Sequence, residues 1–138
     1  MSDMKQIPES HVTLLKDPVY PTLATIMPDG QPQVHPVWCD YDGAYVRVNT
    51  AKGRQKDRNL VRDPHATLLL LDPEDPYFWM EIRGEVAERI EGGPAEEHID
   101  SLANKYVGQR SYTRQQEDEV RVMYKIAPQR ILVSGNGD

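Results

Sequence analysis

The part of this sequence best suited to chemistry is the short basic segment between residues 52 and 63. Five lysine and arginine side chains face only two carboxylates there, so the segment carries a net charge of +3. Because the whole chain of 138 residues carries −6, the remainder carries −9 and the segment is a local exception. Clustered cations of this kind bind anions such as phosphate. The cations are Lys52, Arg54, Lys56, Arg58 and Arg62.

The residues around Gly53 predict how an anion would be held. Glycine lets backbone approach a ligand closely, and the helix predicted from about Gly53 to Asp63 would begin with unpaired N–H groups. Arg54 can grip two phosphate oxygens and Lys56 adds a point charge, so together they suit a phosphate monoester or diester. A solvated basic helix face is the alternative. The segment matches neither Gly-x-x-x-x-Gly-Lys-Ser/Thr nor Gly-x-Gly-x-x-Gly, so neither a triphosphate loop nor a Rossmann site is predicted.

Several other kinds of chemistry lack support in the sequence. The four histidines are far apart without metal-ligand spacing, so we predict no metal site. Cys39 is the only cysteine and has no nearby activating partner, and no Gly-x-Ser-x-Gly motif is present. Nucleophilic catalysis by a self-contained group is therefore not expected, and no catalytic side chain is assigned.

Charge and hydropathy limit the partners and the location. A pI near 5.2 argues against general binding of nucleic acid, which would have to use the basic segment alone. The first residues are polar, and no run approaches the roughly 18 apolar residues of a membrane span. We therefore expect a soluble, cytoplasmic protein with no membrane partner. A chain of this length fits one domain, and we predict a single domain over residues 1–138.

Short β-favouring runs joined by turns predict the fold. Strands are predicted for residues 22–27, 31–41, 44–50, 65–71, 77–91, 120–126 and 131–133, with Pro28-Asp29-Gly30 and Asp42-Gly43 as hairpin turns and a frayed tail after the last strand. The strand at 44–50 has one apolar and one polar face, and Gly84 indicates a bulge or a close approach. Three helices are predicted: one capped by Ser10, one from about Gly53 and one after Gly92-Gly93-Pro94, followed by an irregular stretch over residues 108–119. This arrangement predicts a mainly β protein, a small antiparallel barrel with helices outside it.

Four segments together resemble the split β-barrel flavin-binding proteins related to pyridoxamine 5'-phosphate oxidase. They are LATIMPDGQPQVHPVW, VNTAKGRQKDRNLVRDP, MEIRGEV and VRVMYKIAPQRILV, and they cover most of the chain in the family's order. The second segment resembles the branch that uses the deazaflavin coenzyme F-420 (8-hydroxy-5-deazaflavin) instead of FMN. The true vitamin oxidases continue into a C-terminal substrate-binding segment, whereas this chain ends at Asp138. Oxidation of pyridoxamine phosphate is therefore not expected.

The resemblance implies a homodimer with two cofactor sites at its interface. By that analogy Arg54, Gln55 and Lys56 hold the phosphate, while Lys52 or Arg58 meets the acidic tail of the deazaflavin coenzyme. The remaining implied residues either follow the path of the cofactor side chain or flank its ring. They are Asn49, Thr50, Ala51 and Gly53 along the side chain, and Val37, Trp38, Trp79 and Met80 at the ring. Of these, Trp79 and Met80 would come from the partner chain.

The resemblance also implies the reaction. We expect an oxidoreductase that transfers a hydride between the C5 position of coenzyme F-420 and a conjugated small molecule, and the cofactor rather than a side chain supplies the chemistry. An FMN-dependent reductase on the same fold is the first alternative. A carrier that binds flavin or haem without catalysis is the second.

Overall fold

The computed structural model describes residues 4–113 and 118–135, which form seven strands and three helices. The strands are β1 (Thr22–Ile26), β2 (Pro32–Pro36), β3 (Cys39–Tyr41), β4 (Val46–Ala51), β5 (His65–Leu71), β6 (Trp79–Glu91) and β7 (Arg121–Ser134). The helices are α1 (Thr13–Lys16), α2 (Gln55–Arg62) and α3 (Gly93–Val107). All seven strands belong to one antiparallel sheet in the order β2-β1-β5-β6-β7-β4-β3. The prediction of a mainly antiparallel β fold with three helices is confirmed.

Both predicted hairpins are present, but the sheet also contains long-range pairs. Turns at residues 28–30 and 42–43 join β1 to β2 and β3 to β4. In contrast, β4 pairs with β7, which places Ala51 opposite Arg121 although seventy positions separate them in the chain. This pairing brings the start of β7 next to the basic segment.

The core lies on the inner face of the sheet. On β5 the side chains alternate, with Ala66, Leu68 and Leu70 buried, while Leu69 and Leu71 are exposed on the other face. Helix α1 covers the core with Leu14 and Leu15. Each fully buried leucine contributes about 1.5–3 kcal/mol relative to an exposed one, so this helix closes the core despite its single turn.

Gly84 combines the bulge and the close approach that the sequence predicted. The register of β6 against β7 shifts between Arg83 and Gly84. A Cβ atom at Gly84 would lie 2.4 Å from the backbone oxygen of Ala127, closer than any side chain permits. Only glycine lets these two strands approach at the bulge.

Strand boundaries differ from prediction at two prolines. The strand predicted for residues 31–41 is divided, because β2 ends at Pro36 and β3 begins at Cys39. The two strands predicted at residues 120–126 and 131–133 are instead one strand, β7, which continues through Pro128. Pro128 is paired with Gly84 beside the register shift, and a bulge tolerates a residue that cannot donate a ladder hydrogen bond.

Two further expectations need correction. Ser10 does not cap a helix, because α1 begins at Thr13 without a side-chain cap and the Ser10 hydroxyl bonds His11 Nδ1 at 2.7 Å. Strand β4 is not half-exposed, since α3 covers its polar face and buries Asn49. Residues 114–117 of the predicted irregular stretch and residues 136–138 of the tail lie outside the described residues. Within the described parts of the chain, no helix is long and apolar enough to cross a membrane.

Candidate functional site

The basic segment forms a tight turn between β4 and α2. Gly53 has a φ of +89°, a left-handed conformation that favours glycine. Its N–H group donates to Asp57 Oδ2 at 2.9 Å, and α2 begins two residues later at Gln55. The Gly53 N–H group is therefore already used by the protein's own carboxylate.

Asp57 supports this turn through a buried network. Arg89 Nε donates to Asp57 Oδ1 at 3.1 Å, and the Tyr124 hydroxyl donates to the same oxygen. Burial alone would raise the pKa of Asp57, but the hydrogen bonds from Arg89, Tyr124 and Gly53 outweigh it and lower that pKa below its usual value. A charged carboxylate at the third residue of α2 thus holds the turn in place.

Three of the predicted site residues are held in contacts outside the cleft described below. Arg58 Nη1 donates to the backbone oxygen of Gly53 at 2.6 Å, and Gln55 Nε2 donates to Asn59 Oδ1 at 2.8 Å. Lys52 forms an exposed ion pair with Glu91 at 3.3 Å. These contacts shape the turn and leave its ligand-facing side to other residues.

A cleft of about 530 Å³ opens beside the turn. The predicted residues that line it are Val37, Trp38, Asn49, Thr50, Arg54 and Lys56. The cleft also includes residues that were not predicted, which come from the start of β7, from α3 and from the segments beside them. The most informative of these are Tyr20, Ile99, Tyr112 and Arg121.

Three cations meet in this cleft, and we call Arg54, Lys56 and Arg121 the cation cluster. Glu119 bridges two of them, 2.8 Å from Arg54 Nη2 and 2.9 Å from Arg121 Nη1. Among the described residues, no carboxylate lies within ion-pair distance of Lys56. Burial, followed by the nearby charges of Arg54 and Arg121, lowers the pKa of Lys56. The cluster therefore carries excess positive charge, which an anion would stabilise.

Arg121 is the main functional residue that the sequence analysis missed. Its side chain is 3% exposed, its Nε donates to Asn49 Oδ1 at 2.9 Å, and its guanidinium lies 5.0 Å from the centre of the Tyr112 ring. Local sequence offers one weak signal, an arginine between Val120 and Val122 at the start of an alternating strand. Its neighbours become apparent only when β7 pairs with β4.

Asn49 positions Arg121 through a further set of hydrogen bonds. Its Nδ2 donates to the backbone oxygen of Ala95 at 2.9 Å and to His98 Nδ1 at 3.0 Å. His98 Nε2 lies 3.3 Å from Asp40 Oδ1, which assigns the proton to Nε2 because a carboxylate only accepts. Asn49 therefore links α3 to the cation cluster.

Asp40 anchors the far end of that set. Arg47 holds it with two hydrogen bonds, from Nε and Nη2, each of 2.7 Å. Burial would raise the pKa of Asp40, but the hydrogen bonds from His98 and Arg47 prevail and lower it to about 2.

Thr50 lines the cleft and carries a hydroxyl group that the described residues leave unpaired. Thr50 Oγ1 is buried and has no hydrogen-bond partner among those residues. An unpaired buried hydroxyl costs about 1–3 kcal/mol, so such groups are rare in folded proteins. The cation cluster beside Thr50 gives the cleft residues that fit a phosphate-bearing cofactor.

An aromatic wall lies near the cation cluster. The rings of Trp38 and Tyr106 are stacked with centroids 5.4 Å apart, and Tyr112 meets Trp38 edge-on at 6.1 Å. The Tyr106 hydroxyl donates to the backbone oxygen of Val19 at 2.8 Å, which fixes its ring. Val37 is buried beside Trp38. The cleft thus offers flat apolar surface beside its cations, as a planar ring bearing a phosphate requires.

The other predicted residues do not line the cleft. Ala51 is buried at the end of β4. Trp79 and Met80 pair with Ser134 and Val133 at the far end of β7, opposite the end that carries Arg121. Met80 is fully buried in this chain's own core, whereas Trp79 is half-buried. Within one chain, neither side chain reaches the cleft.

Cysteine and metal chemistry have little support in the described structure. No group of three metal-ligating side chains occurs among residues 4–113 and 118–135. Cys39 is buried, and burial raises its pKa to about 11, so the thiol stays protonated at neutral pH. The cleft therefore presents charge and aromatic surface, without an activated nucleophile.

Comparison with known proteins agrees with this geometry. The family model described as pyridoxamine 5'-phosphate oxidase matches residues 7–134. A solved structure named F420 Reductase is 33% identical, with a TM-score of 0.81 over 91% of this chain and 98% of its own. The conserved hypothetical protein Rv2991 from Mycobacterium tuberculosis is 27% identical, with a TM-score of 0.73 over 99% of this chain and 89% of its own.

A more distant likeness bears on the fold alone. HutZ, the heme storage protein from Vibrio cholerae, is 13% identical with a TM-score of 0.69, over 96% of this chain and 98% of its own. The split β-barrel fold and the resemblance to the coenzyme F-420 branch, both expected from the sequence, are confirmed by the family match and the F420 Reductase structure. The chain belongs to the pyridoxamine 5'-phosphate oxidase family.

Proposed function

We propose that this protein is a coenzyme F-420-dependent oxidoreductase that transfers a hydride between the deazaflavin C5 position and a conjugated small molecule. The observation that carries the proposal is the cleft itself, where the cation cluster meets Trp38 and Tyr112 of the aromatic wall. The similarity to the F420 Reductase structure supports the choice of a deazaflavin. The substrate class rests on the family resemblance alone.

The residues present suit distinct parts of the cofactor. Arg54, Lys56 and Arg121 would hold the phosphate, and Thr50 would line the path of the cofactor side chain. Trp38 and Val37 would flank the ring and keep water from one side of it. When bound, the coenzyme would supply the hydride chemistry, so the protein needs only to bind, orient and shield it.

The remaining predicted residues have indirect parts in this proposal. Gly53 and Gln55 shape the turn, and Ala51 ends the strand that leads into it. Lys52 and Arg58 lie at the exposed edge, where an acidic cofactor tail would pass if it leaves the cleft along α2. Met80 is enclosed in the core and is given no ligand contact.

We also propose that the protein acts as a homodimer with shared cofactor sites. Apolar side chains on the outer sheet face, among them Val34, Leu69 and Leu71, are exposed in the single chain, and Trp79 lies beside them opposite Leu71. A second copy covering this face would bring Trp79 towards the partner's cleft. Dilution below the dimer dissociation constant should then weaken cofactor binding, and a monomer that binds fully would contradict a shared site.

The first test is a fluorescence titration of the cofactor-free protein with coenzyme F-420 and with FMN in parallel. Trp38 lines the cleft of its own chain, so a Trp79→Phe variant, titrated beside the unaltered protein, leaves Trp38 as the only tryptophan reporter. Tight binding of coenzyme F-420 with weak binding of FMN supports the proposal. The reverse result supports the FMN-dependent reductase, and binding of neither contradicts both.

A single-turnover experiment separates enzyme from carrier. The protein loaded with reduced coenzyme is mixed with a panel of conjugated acceptors, and loss of the reduced cofactor is followed by absorbance. Oxidation that depends on the acceptor supports an oxidoreductase. A tightly bound cofactor that no acceptor oxidises would instead favour the non-catalytic carrier, whether its natural ligand is a flavin or haem.

A further inference from the structure

Glu119 is a carboxylate inside what is otherwise a phosphate site. Its side chain is only 6% exposed, and its two oxygens bond different members of the cation cluster, Arg54 and Arg121. It is not itself a lining residue of the cleft, so it acts on a ligand through the two arginines. An acidic residue so placed opposes the binding of any anion, and its presence needs an explanation.

The net charge of the cation cluster together with Glu119 affects phosphate monoesters and diesters differently. Among the residues that the structure describes, three cations and one carboxylate leave the cluster with a net charge of +2. A phosphate monoester carries nearly two negative charges at neutral pH, whereas a diester carries one. Repulsion by a fixed carboxylate grows with the charge of the ligand, so Glu119 penalises the monoester about twice as strongly as the diester. FMN is a monoester, and the phosphate of coenzyme F-420 is a diester.

We infer that Glu119 is a specificity-determining residue, which positions Arg54 and Arg121 and shifts the phosphate site away from monoesters towards diesters. The inference rests on the proposed function, because it assumes that a phosphate-bearing cofactor occupies this cleft. Specificity is a difference between two affinities, and an unfavourable charge is a common way to produce it. The cofactor choice would then depend on the phosphate as well as on the ring.

A purely structural role for Glu119 predicts something different. If the carboxylate served only to hold Arg121 in place, its loss would weaken both kinds of phosphate by similar factors. The ratio of the two affinities would stay the same. That ratio is therefore the measurement that distinguishes the two roles.

The experiment uses two ligands, FMN and its phosphate methyl ester, which differ by one methyl group and therefore by about one phosphate charge. The same pair built on the deazaflavin ring replaces them if that ring binds more tightly. Dissociation constants are measured for the full-length protein and for Glu119→Gln, Glu119→Met and Glu119→Asp. Glu91→Gln is the matched control, because it removes one carboxylate from nearby ion pairs with Lys52 and Arg89 outside the cleft.

We expect both neutral variants to shift the affinity ratio towards the monoester by roughly tenfold, the effect of one partly screened charge. Glu119→Asp and Glu91→Gln should leave the ratio within about twofold, because the first keeps the charge and the second lies outside the cleft. An unchanged ratio in the neutral variants, with both ligands still bound, would overturn the inference while the proposed function stands.

The remaining outcomes are also decisive. If the unaltered protein binds neither ligand of either pair, the proposed cofactor site is wrong and the inference fails with it. Thermal melting of each variant is recorded first. If Glu119→Gln and Glu119→Met both fail to fold, then Glu119 is a structural partner of Arg121 and the specificity role is overturned.

Discussion

Two groups of charged side chains lie beside the turn between β4 and α2. They differ in whether each charge has a partner of opposite sign. Beneath the turn, Asp57 is paired with Arg89 and bonded by Tyr124. In the cleft, the three cations of the cluster share one carboxylate, that of Glu119, among the described residues. Within the described parts of the chain, the first group is nearly neutral by itself, whereas the second carries a net charge of +2.

This contrast helps to separate structural charge from functional charge. A buried ion pair is costly to form and more costly to break, so a network that serves the fold has every member matched. Lys56 has a lowered pKa because burial and two like charges act on its ammonium. Excess charge held at that cost is a stronger reason to propose a binding site in the cleft than the number of basic residues is.

The largest effect of a substitution should be a loss of stability, and it should come from the group around Asp57, whose charges are paired. Asp57→Asn removes one of the two carboxylates that Arg89 faces, the other being Glu91, and it weakens the hydrogen bonds from Arg89, Tyr124 and Gly53. We therefore expect the free energy of unfolding to fall by about 3 kcal/mol. Urea unfolding measures it. Asp63→Asn, at an exposed pair with His65, is the control and should change little. Loss of cofactor affinity with unchanged stability in Asp57→Asn would remove the distinction between the two groups.

The next largest effect should come from the cation cluster, and it should be a loss of cofactor affinity. Lys56→Ala should weaken cofactor binding by about 1.5–3 kcal/mol, the range of a charge-assisted hydrogen bond. The melting temperature without cofactor should stay the same or rise, since a like charge is removed. Lys16→Ala is the control, because Lys16 is an exposed lysine of α1 that does not line the cleft. Equal affinity for Lys56→Ala would exclude this residue from the site.

The stability of the protein at low pH should report on Asp40, which supports the site from a distance. Folding lowers its pKa from 3.8 to about 2, which stabilises the fold by about 2 kcal/mol at neutral pH. Because the folded pKa is the lower one, this stability is complete above about pH 4 and disappears as the pH falls through about 2. Asp40→Asn should lack this stabilisation. The difference in the free energy of unfolding between the variant and the unaltered protein should therefore narrow below pH 4. A difference in the free energy of unfolding that does not change with pH would contradict the lowered pKa of Asp40.

Much of the fold could be predicted because its signals are local. Period-two alternation, the turns at Pro28-Asp29-Gly30 and Asp42-Gly43, and Gly84 each depend on residues close together in the chain. The errors occurred where distant residues decide the outcome. Pro128 seemed to end a strand, but the bulge opposite Gly84 accommodates it. The polar face of β4 seemed exposed until α3 covered Asn49.

The site shows the same division. Arg54 and Lys56 were predicted because they follow Gly53 in one short segment that also carries the family resemblance. Gln55 belongs to the same segment, yet its amide donates to Asn59 and it does not line the cleft. Sequence spacing indicates which residues share a turn. It does not indicate which of them face the ligand.

The sequence by itself determined that a glycine-centred basic turn joins a strand to a helix in a chain of this family, since those features need only neighbouring residues. The tertiary structure decided which cations remain unmatched. Arg121 and Glu119 join Arg54 only because β7 pairs with β4, and Asn49 orients Arg121 only because α3 packs over it. Electrostatic energy depends on distance in space, so the charge balance of the site is a property of the folded chain.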